Sequence, residues 1–304
     1  MSFEVKEISI KSTDGIHTLE GKIYIPSGEI KGLFQIVHGM NEYIGRYDHL
    51  MSYLAENGFV CFGYDHLGHG KTAKNDSELG FIAEKNGWKY LVDDVNAFSL
   101  AVKEQYPNKE LYLMGHSMGS FIVRLTFAKF PQTYEKLIVC GTAGKNPLSK
   151  LGLVLTKIIG FLKGKHYVSN MILNMAFSSY NKRFEGNTGY EWITSDTSVI
   201  EKYSNDKFCT FKFSVSAMHD LITLISKCNS NAWFKNVCKT KPMYLIAGEC
   251  DPVGNYGKGV RWVHNKLKEN GADVKLKLYE NCRHEIINDT CRDEALRDIL
   301  NFVK

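Results

Sequence analysis

The chain has 304 residues, 44% of them hydrophobic and 23% charged, which suits a soluble globular protein with room for one large α/β domain and an insertion, or for two smaller domains. Its formal net charge of +5 is uneven, since residues 145–235 carry 12 Lys/Arg against 6 Asp/Glu; the remainder is nearly neutral, and no nucleic-acid partner is expected. An acidic start without an apolar core argues against a signal peptide, no run reaches the roughly 18 apolar residues of a membrane span, and eight scattered cysteines without a Cys-x-x-Cys pair predict reduced thiols in a cytoplasmic protein rather than disulfides or a zinc site.

Residues 3–11 and 17–26 alternate on either side of Ser12-Thr13-Asp14-Gly15, predicting an antiparallel hairpin. Leu33-Phe34-Gln35-Ile36-Val37 and Val60-Cys61-Phe62-Gly63-Tyr64 are strand-like runs separated by a helical pattern over Tyr47–Asn57. A longer helix is predicted over 86–105, with Leu91, Val92, Val95, Leu100 and Val102 at its apolar positions. Leu111-Tyr112-Leu113-Met114 has the length and composition of a buried strand, and it runs into Gly115-His116-Ser117-Met118-Gly119 and then a helical stretch over 120–128. A strand over 137–140 follows, after which the strand–helix rhythm stops. Residues 145–235 are helical in character, with apolar spacing over 151–162, 171–177 and 215–225. The rhythm resumes with a strand at 243–247, a helix at 257–269, a strand at 274–279 and a helix at 292–303. This order implies a mostly parallel, doubly wound sheet with an N-terminal antiparallel hairpin. Residues 1–144 and 236–304 then form the core, and 145–235 form a helical cap over the carboxyl ends of the strands, where open α/β sheets bind ligands.

The Gly-x-Ser-x-Gly box at a strand-to-helix corner carries the chemistry. Glycines on both sides permit a strained turn that exposes the Ser117 hydroxyl above the sheet, because a Cβ there would collide with the neighbouring strand and helix. A hydroxyl becomes a nucleophile only beside a base, and the base needs a carboxylate to orient it. Asp251 lies on the loop after strand 243–247, stiffened by Pro252, and His284 lies on the loop after strand 274–279. Serine, acid and histidine thus fall at three strand ends on one sheet edge, in the chain order this architecture uses. Glu249 is the nearest rival acid but is closer to its strand; Arg261 and His264 read as surface. The N–H of Met118 and that of Met40, in the loop His38-Gly39-Met40-Asn41-Glu42, are the expected oxyanion donors. His116 is expected to pack, His38 to hold its loop, and Asp65 to be structural. The chemistry calls for no metal and no organic cofactor.

These residues resemble the monoacylglycerol lipase/lysophospholipase branch of the α/β-hydrolase superfamily, also grouped as serine aminopeptidase-like hydrolases. The matching text is His38-Gly39-Met40-Asn41-Glu42-Tyr43-Ile44-Gly45-Arg46-Tyr47, Tyr64-Asp65-His66-Leu67-Gly68-His69-Gly70, Gly115-His116-Ser117-Met118-Gly119, Ala247-Gly248-Glu249-Cys250-Asp251-Pro252-Val253 and His284-Glu285. The resemblance covers roughly 30–144 and 240–304 and implies the α/β-hydrolase fold, a cap domain, a Ser117–Asp251–His284 triad and an oxyanion hole at Met40 and Met118. It also places Glu42 and Arg46 near the polar end of a substrate tunnel, where they bind glycerol or brace the loop. Ser120 stands where the family usually has Gly, and the insertion does not match the lipase lid.

Within 150–163, Leu151, Val154, Leu155, Ile158, Ile159, Phe161 and Leu162 occupy one half of a helical wheel; the lysines, Thr156, Gly152 and Gly160 occupy the other. The apolar half is expected to pack onto the protein, with Leu155, Ile159 or Phe161 lining an acyl channel; a basic amphipathic helix at an anionic membrane is the other reading. The expected activity is hydrolysis of carboxylic esters with an apolar acyl group, monoacylglycerol or lysophospholipid. A thioesterase or aminopeptidase would use the same triad, and a non-catalytic binding protein of the same fold is the reading from another class. Oligomeric state stays open.

Overall fold

The computed structural model describes residues 2–304. Strands β1 (Phe3–Lys11) and β2 (Thr18–Pro26) form the expected antiparallel hairpin. They are followed by β3 (Gly32–Val37), α1 (Asp48–Glu56), β4 (Phe59–Tyr64), α2 (Gly87–Gln105), β5 (Leu111–His116), α3 (Met118–Lys129) and β6 (Lys136–Cys140). The inserted segment holds α4 (Ser149–Lys163), α5 (Asn170–Phe177), α6 (Thr197–Ser204), α7 (Lys207–Thr210), α8 (Val215–Cys228) and α9 (Asn231–Asn236). Strand β7 (Met243–Gly248), α10 (Lys258–Glu269), β8 (Val274–Tyr279) and α11 (Arg292–Val303) complete the chain. The sheet order is β1-β2-β4-β3-β5-β6-β7-β8, antiparallel across β1/β2 and β2/β4 and parallel elsewhere. This is the α/β-hydrolase fold.

The central strands are buried along their whole length, as expected of parallel strands covered on both faces. Alternation still sorts their side chains. Leu111 and Leu113 of β5 join one core with Val95 of α2, Ile122 of α3 and Val263 of α10, while Tyr112 and Met114 join another with Leu54 of α1 and Ile299 of α11. A polar side chain inside the first core, Gln35, is satisfied by donating to the Val95 carbonyl at 3.1 Å and accepting from the Ser99 hydroxyl. That core runs on into the insertion through Met218, Leu221 and Leu224 of α8 and Trp233 and Phe234 of α9. Arg124 of α3 is sealed beneath them, donating to Asn229 Oδ1 at 3.0 Å with its guanidinium 4.4 Å from the Trp233 ring centre.

Helix α4 sits the other way round from the helical-wheel reading. Its buried residues are Gly152, Thr156 and Gly160, spaced by four, and this small-residue stripe lies against α8. A Cβ at Gly152 would stand 2.9 Å from Ile222 Cδ1, so the glycine sets how closely the two helices approach. Thr156 completes the contact by hydrogen bonding His219 Nδ1 at 2.8 Å. The apolar half is consequently turned outward: Leu151, Val154, Ile158 and Leu162 are exposed and Phe161 is 87% exposed. Leu155 and Ile159 lie at the edge of the packed face, half-buried.

Candidate active site

The serine is held as the box requires. Ser117 joins β5 to α3 with φ 54° and ψ −120°, a backbone conformation costly for a residue with a side chain. The surroundings enforce it: its N–H donates to the Cys140 carbonyl at 3.0 Å, and its carbonyl accepts from the Ser120 N–H at 2.9 Å and the Ser120 hydroxyl at 2.6 Å. The flanking glycines are needed for space, since a Cβ at Gly119 would lie 2.1 Å from the Val37 carbonyl oxygen and one at Gly115 would lie 2.3 Å from that of Gly119. Ser120 therefore serves the turn directly, in a place where the resemblance leads one to expect glycine.

Ser117 lies in the wall of a cavity of about 850 Å³, together with Met40, Met118, Glu42, His284 and Glu285. Asp251, fully buried, sits at the foot of β7 and places Oδ2 3.0 Å from His284 Nδ1; its other oxygen accepts from the Val253 N–H at 2.8 Å. The Asp251–His284 contact has the distance of an ion pair without the alignment of a good hydrogen bond, and His284 Nε2 has no partner among the described residues. Ser117 Oγ and Nε2 thus share the cavity without a hydrogen bond between them, the loose arrangement common in sites without substrate. Among the described residues, the N–H groups of Met40 and Met118 donate to no loop or turn carbonyl. The loop bearing Met40 abuts the serine, because a Cβ on Gly39 would stand 2.9 Å from Ser117 Cβ.

Behind the site lies a buried ionic cluster. Glu42 Oε1 accepts from the Gly39 N–H at 2.5 Å and the Tyr47 hydroxyl at 2.9 Å, and it lies 3.1 Å from His116 Nδ1. Its other oxygen lies 3.3 Å from Arg46, whose guanidinium forks onto both oxygens of Glu285 at 2.5 and 2.7 Å. Burial pushes the Glu42 carboxyl up, but the hydrogen bond and charge of His116, then the Arg46 charge and the Gly39 N–H, outweigh it and bring it to about 2. Arg46 does not reach the cavity, so of the two residues expected at its polar end only Glu42 lines it. Glu42 hydrogen-bonds the Gly39 N–H, and Arg46 hydrogen-bonds Glu285 beside His284.

His38 is fixed as a neutral ring: Nδ1 donates to the Gly39 carbonyl at 2.8 Å and Nε2 accepts from the His66 N–H at 3.0 Å. Asp65 accepts from the N–H groups of Ile44 and Lys71 at 2.8 and 2.7 Å, a structural part.

The inserted segment supplies much of the cavity wall, through Leu173, Phe177, Trp192 and Tyr203 among others; Leu155, Ile159 and Phe161 are not in it. With α4 seated on its glycine stripe, α5 and the chain after it face the cavity instead. The segment 191–195 also grips the histidine loop. The Ile193 carbonyl accepts from the Glu285 N–H at 2.8 Å, that of Thr194 from Arg283 at 2.9 Å, and the Trp192 ring centre lies 5.1 Å from that of His284. No periodicity or spacing marks 191–195 in the sequence; its role comes from tertiary contact alone.

A family model described as serine aminopeptidase, S33, matches residues 28–291. The chain belongs to this family of α/β-hydrolases. It is 31% identical to a human monoglyceride lipase over 264 residues, covering 85% of this chain and 77% of that protein. Among solved structures it resembles a thermostable carboxyl esterase from Bacillus coagulans in complex with glycerol, with 33% identity, a TM-score of 0.93 and coverage of 99% and 98% of the two chains. A soluble variant of the Saccharomyces cerevisiae monoglyceride lipase in complex with a substrate analogue shares the fold, with a TM-score of 0.77 at 20% identity over 100% of this chain and 96% of that one.

Proposed function

We propose that this hydrolase cleaves monoacylglycerols or lysophospholipids through an acyl-enzyme formed on Ser117. It is a carboxylic ester hydrolase, as its monoglyceride lipase relatives and the esterase of similar structure indicate. The observation that carries the mechanism is a strained serine sharing one cavity wall with a histidine whose far nitrogen lies 3.0 Å from a buried carboxylate. Ser117 Oγ attacks the ester carbonyl carbon as His284 Nε2 takes its proton. The carbonyl oxygen becomes an oxyanion held by the N–H groups of Met40 and Met118. Asp251 fixes the imidazole tautomer and stabilises the imidazolium. That imidazolium protonates the departing alcohol, and water, deprotonated in turn by His284, then releases the fatty acid. Residues 145–235 serve as the cap and 1–144 with 236–304 as the core.

The apolar lining from Phe121, Leu173, Phe177, Leu221 and Ile225 suits an acyl chain. An aminopeptidase needs an uncommitted acid to hold the substrate's amine, and the cavity's acids, Glu42 and Glu285, are both paired with Arg46. Turnover is therefore expected to rise with chain length across monoacylglycerols or lysophospholipids and to be negligible on aminoacyl amides; a preference for the amides would overturn this reading. Thioesters of the same chain lengths, run in parallel, test the related thioesterase activity.

The outward apolar row of α4 lies in the segment with an excess of +6 from 12 basic and 6 acidic residues, which supports docking on an anionic lipid surface. Replacing Phe161 and Leu162 together by Glu is expected to weaken sedimentation with phosphatidylserine vesicles by at least about tenfold. Hydrolysis of p-nitrophenyl acetate should be unchanged. Equal vesicle binding by the variant rules the surface out.

A further inference from the structure

His116, the residue before the nucleophile, faces two groups that can only accept. Its Nδ1 lies 3.1 Å from Glu42 Oε1 and its Nε2 lies 3.3 Å from the His284 carbonyl oxygen. A neutral imidazole carries one N–H, so one nitrogen lone pair would be aimed at an oxygen lone pair on a ring that is only 2% exposed. Nor can the proton sit on Glu42: its Oε1 already accepts from Gly39 N–H and the Tyr47 hydroxyl, and Arg46 faces its Oε2. His38 nearby has one donating and one accepting nitrogen, and neutrality suits it.

Charge balance agrees. The buried cluster holds the carboxylates Glu42 and Glu285 and the single guanidinium of Arg46, leaving one negative charge that only His116 can offset. The titratable groups around the ring are Glu42, Tyr47 with its ring centre 6.4 Å away, Glu285, the neutral His38, the buried Cys140 thiol paired with His116 across β5 and β6, and His284 itself, whose ring centre is 4.7 Å away. Burial disfavours the charged ring, and the hydrogen bond and charge of Glu42 prevail over it to raise its pKa.

We propose that His116 is a permanent imidazolium that acts as a positioning residue, tying the oxyanion loop to the histidine loop and so fixing where His284 stands. The tie runs from the Gly39 N–H through Glu42 to His116 and on to the His284 carbonyl. This rests on the assignment of His284 as the general base, but its first test does not.

Nitrogen NMR of the histidine-labelled protein reads the protonation of His116 directly, with no substrate. Both ring nitrogens are expected to carry protons throughout about pH 6–9, where an ordinary imidazole loses one. A neutral tautomer of His116 at the upper end of that range overturns the proposal, whatever the enzyme's activity. In His116→Gln, which keeps a donor and removes the charge, kcat for a short p-nitrophenyl ester is expected to fall by about tenfold with KM nearly unchanged, because the loop carrying His284 loses its tie. An unchanged kcat, or losses in kcat and KM that track a loss of folded protein, would mean that the ring only fills space, and would count against it. Should that variant fail to fold, the NMR measurement on the unaltered protein still decides.

Discussion

Substituting Ser117 by Ala is expected to lower kcat on any accepted ester by roughly 10⁴- to 10⁶-fold and to abolish labelling by a fluorophosphonate, with thermal stability retained or improved. Retention follows from the strain: a side chain at φ 54° is as costly for alanine as for serine, and the turn is held by backbone and Ser120 contacts that the substitution leaves in place. Asp251→Asn should cost about 10⁴-fold in kcat at neutral pH, because an amide can donate to His284 Nδ1 and so favour the tautomer with its proton on the wrong nitrogen. Removing any member of a unit that acts together costs nearly as much as removing all, so the Ser117→Ala/Asp251→Asn double variant should be close to the worse single one. Undiminished labelling of Ser117→Ala, or additive losses in the double variant, would contradict the assigned roles.

The positions of Ser117, Asp251 and His284 were legible because each depends on a local pattern: a buried strand, then a loop that starts where the apolar run stops. Strand ends on one edge of a parallel sheet open toward the same side, so the three loops set Asp251 3.0 Å from His284 and put Ser117 in the same cavity wall as His284. The same logic delivered the hairpin, the sheet and the interruption after β6. Helix α4 was harder, since its wheel has two faces that can pack: a broad apolar one, and a narrow stripe of Gly152, Thr156 and Gly160 that permits closer approach. Hydrophobicity alone favours the first; the partner surface on α8 decides for the second, and no local pattern reveals that surface. The ionic cluster was half legible. Glu42 and Arg46 stand four apart in one motif, but Glu285 is 239 residues from Arg46, and nothing in the sequence pairs them. Likewise, what His116 does depends on the groups facing both ring nitrogens, which no local pattern shows.

Arg46→Met should be the most damaging substitution for stability outside the core, at about 3–5 kcal/mol near pH 8, because it leaves Glu42 and Glu285 buried with one cation between them. For a chain this long that corresponds to a fall in Tm of roughly 5–8 °C. The pH dependence gives the test its direction. In the unaltered protein the Glu42 carboxyl sits near 2, below its unfolded value, so its contribution is fully present above about pH 4.5 and is lost as pH falls toward 2. Without Arg46 one carboxylate is uncompensated, and burial pushes its folded value above the unfolded one. The native state then binds the extra proton, and stability falls as pH rises. The gap between variant and parent should therefore be smaller at about pH 5 than at pH 8. Arg46→Lys keeps the charge but loses the fork onto Glu285, and should show about half the loss. Because Glu285 follows His284 directly, kcat should fall in the same order, Met below Lys below Arg. A gap that widens toward acid would mean that the cluster holds no excess negative charge without Arg46, and that the ion pairs do not hold the histidine loop in place.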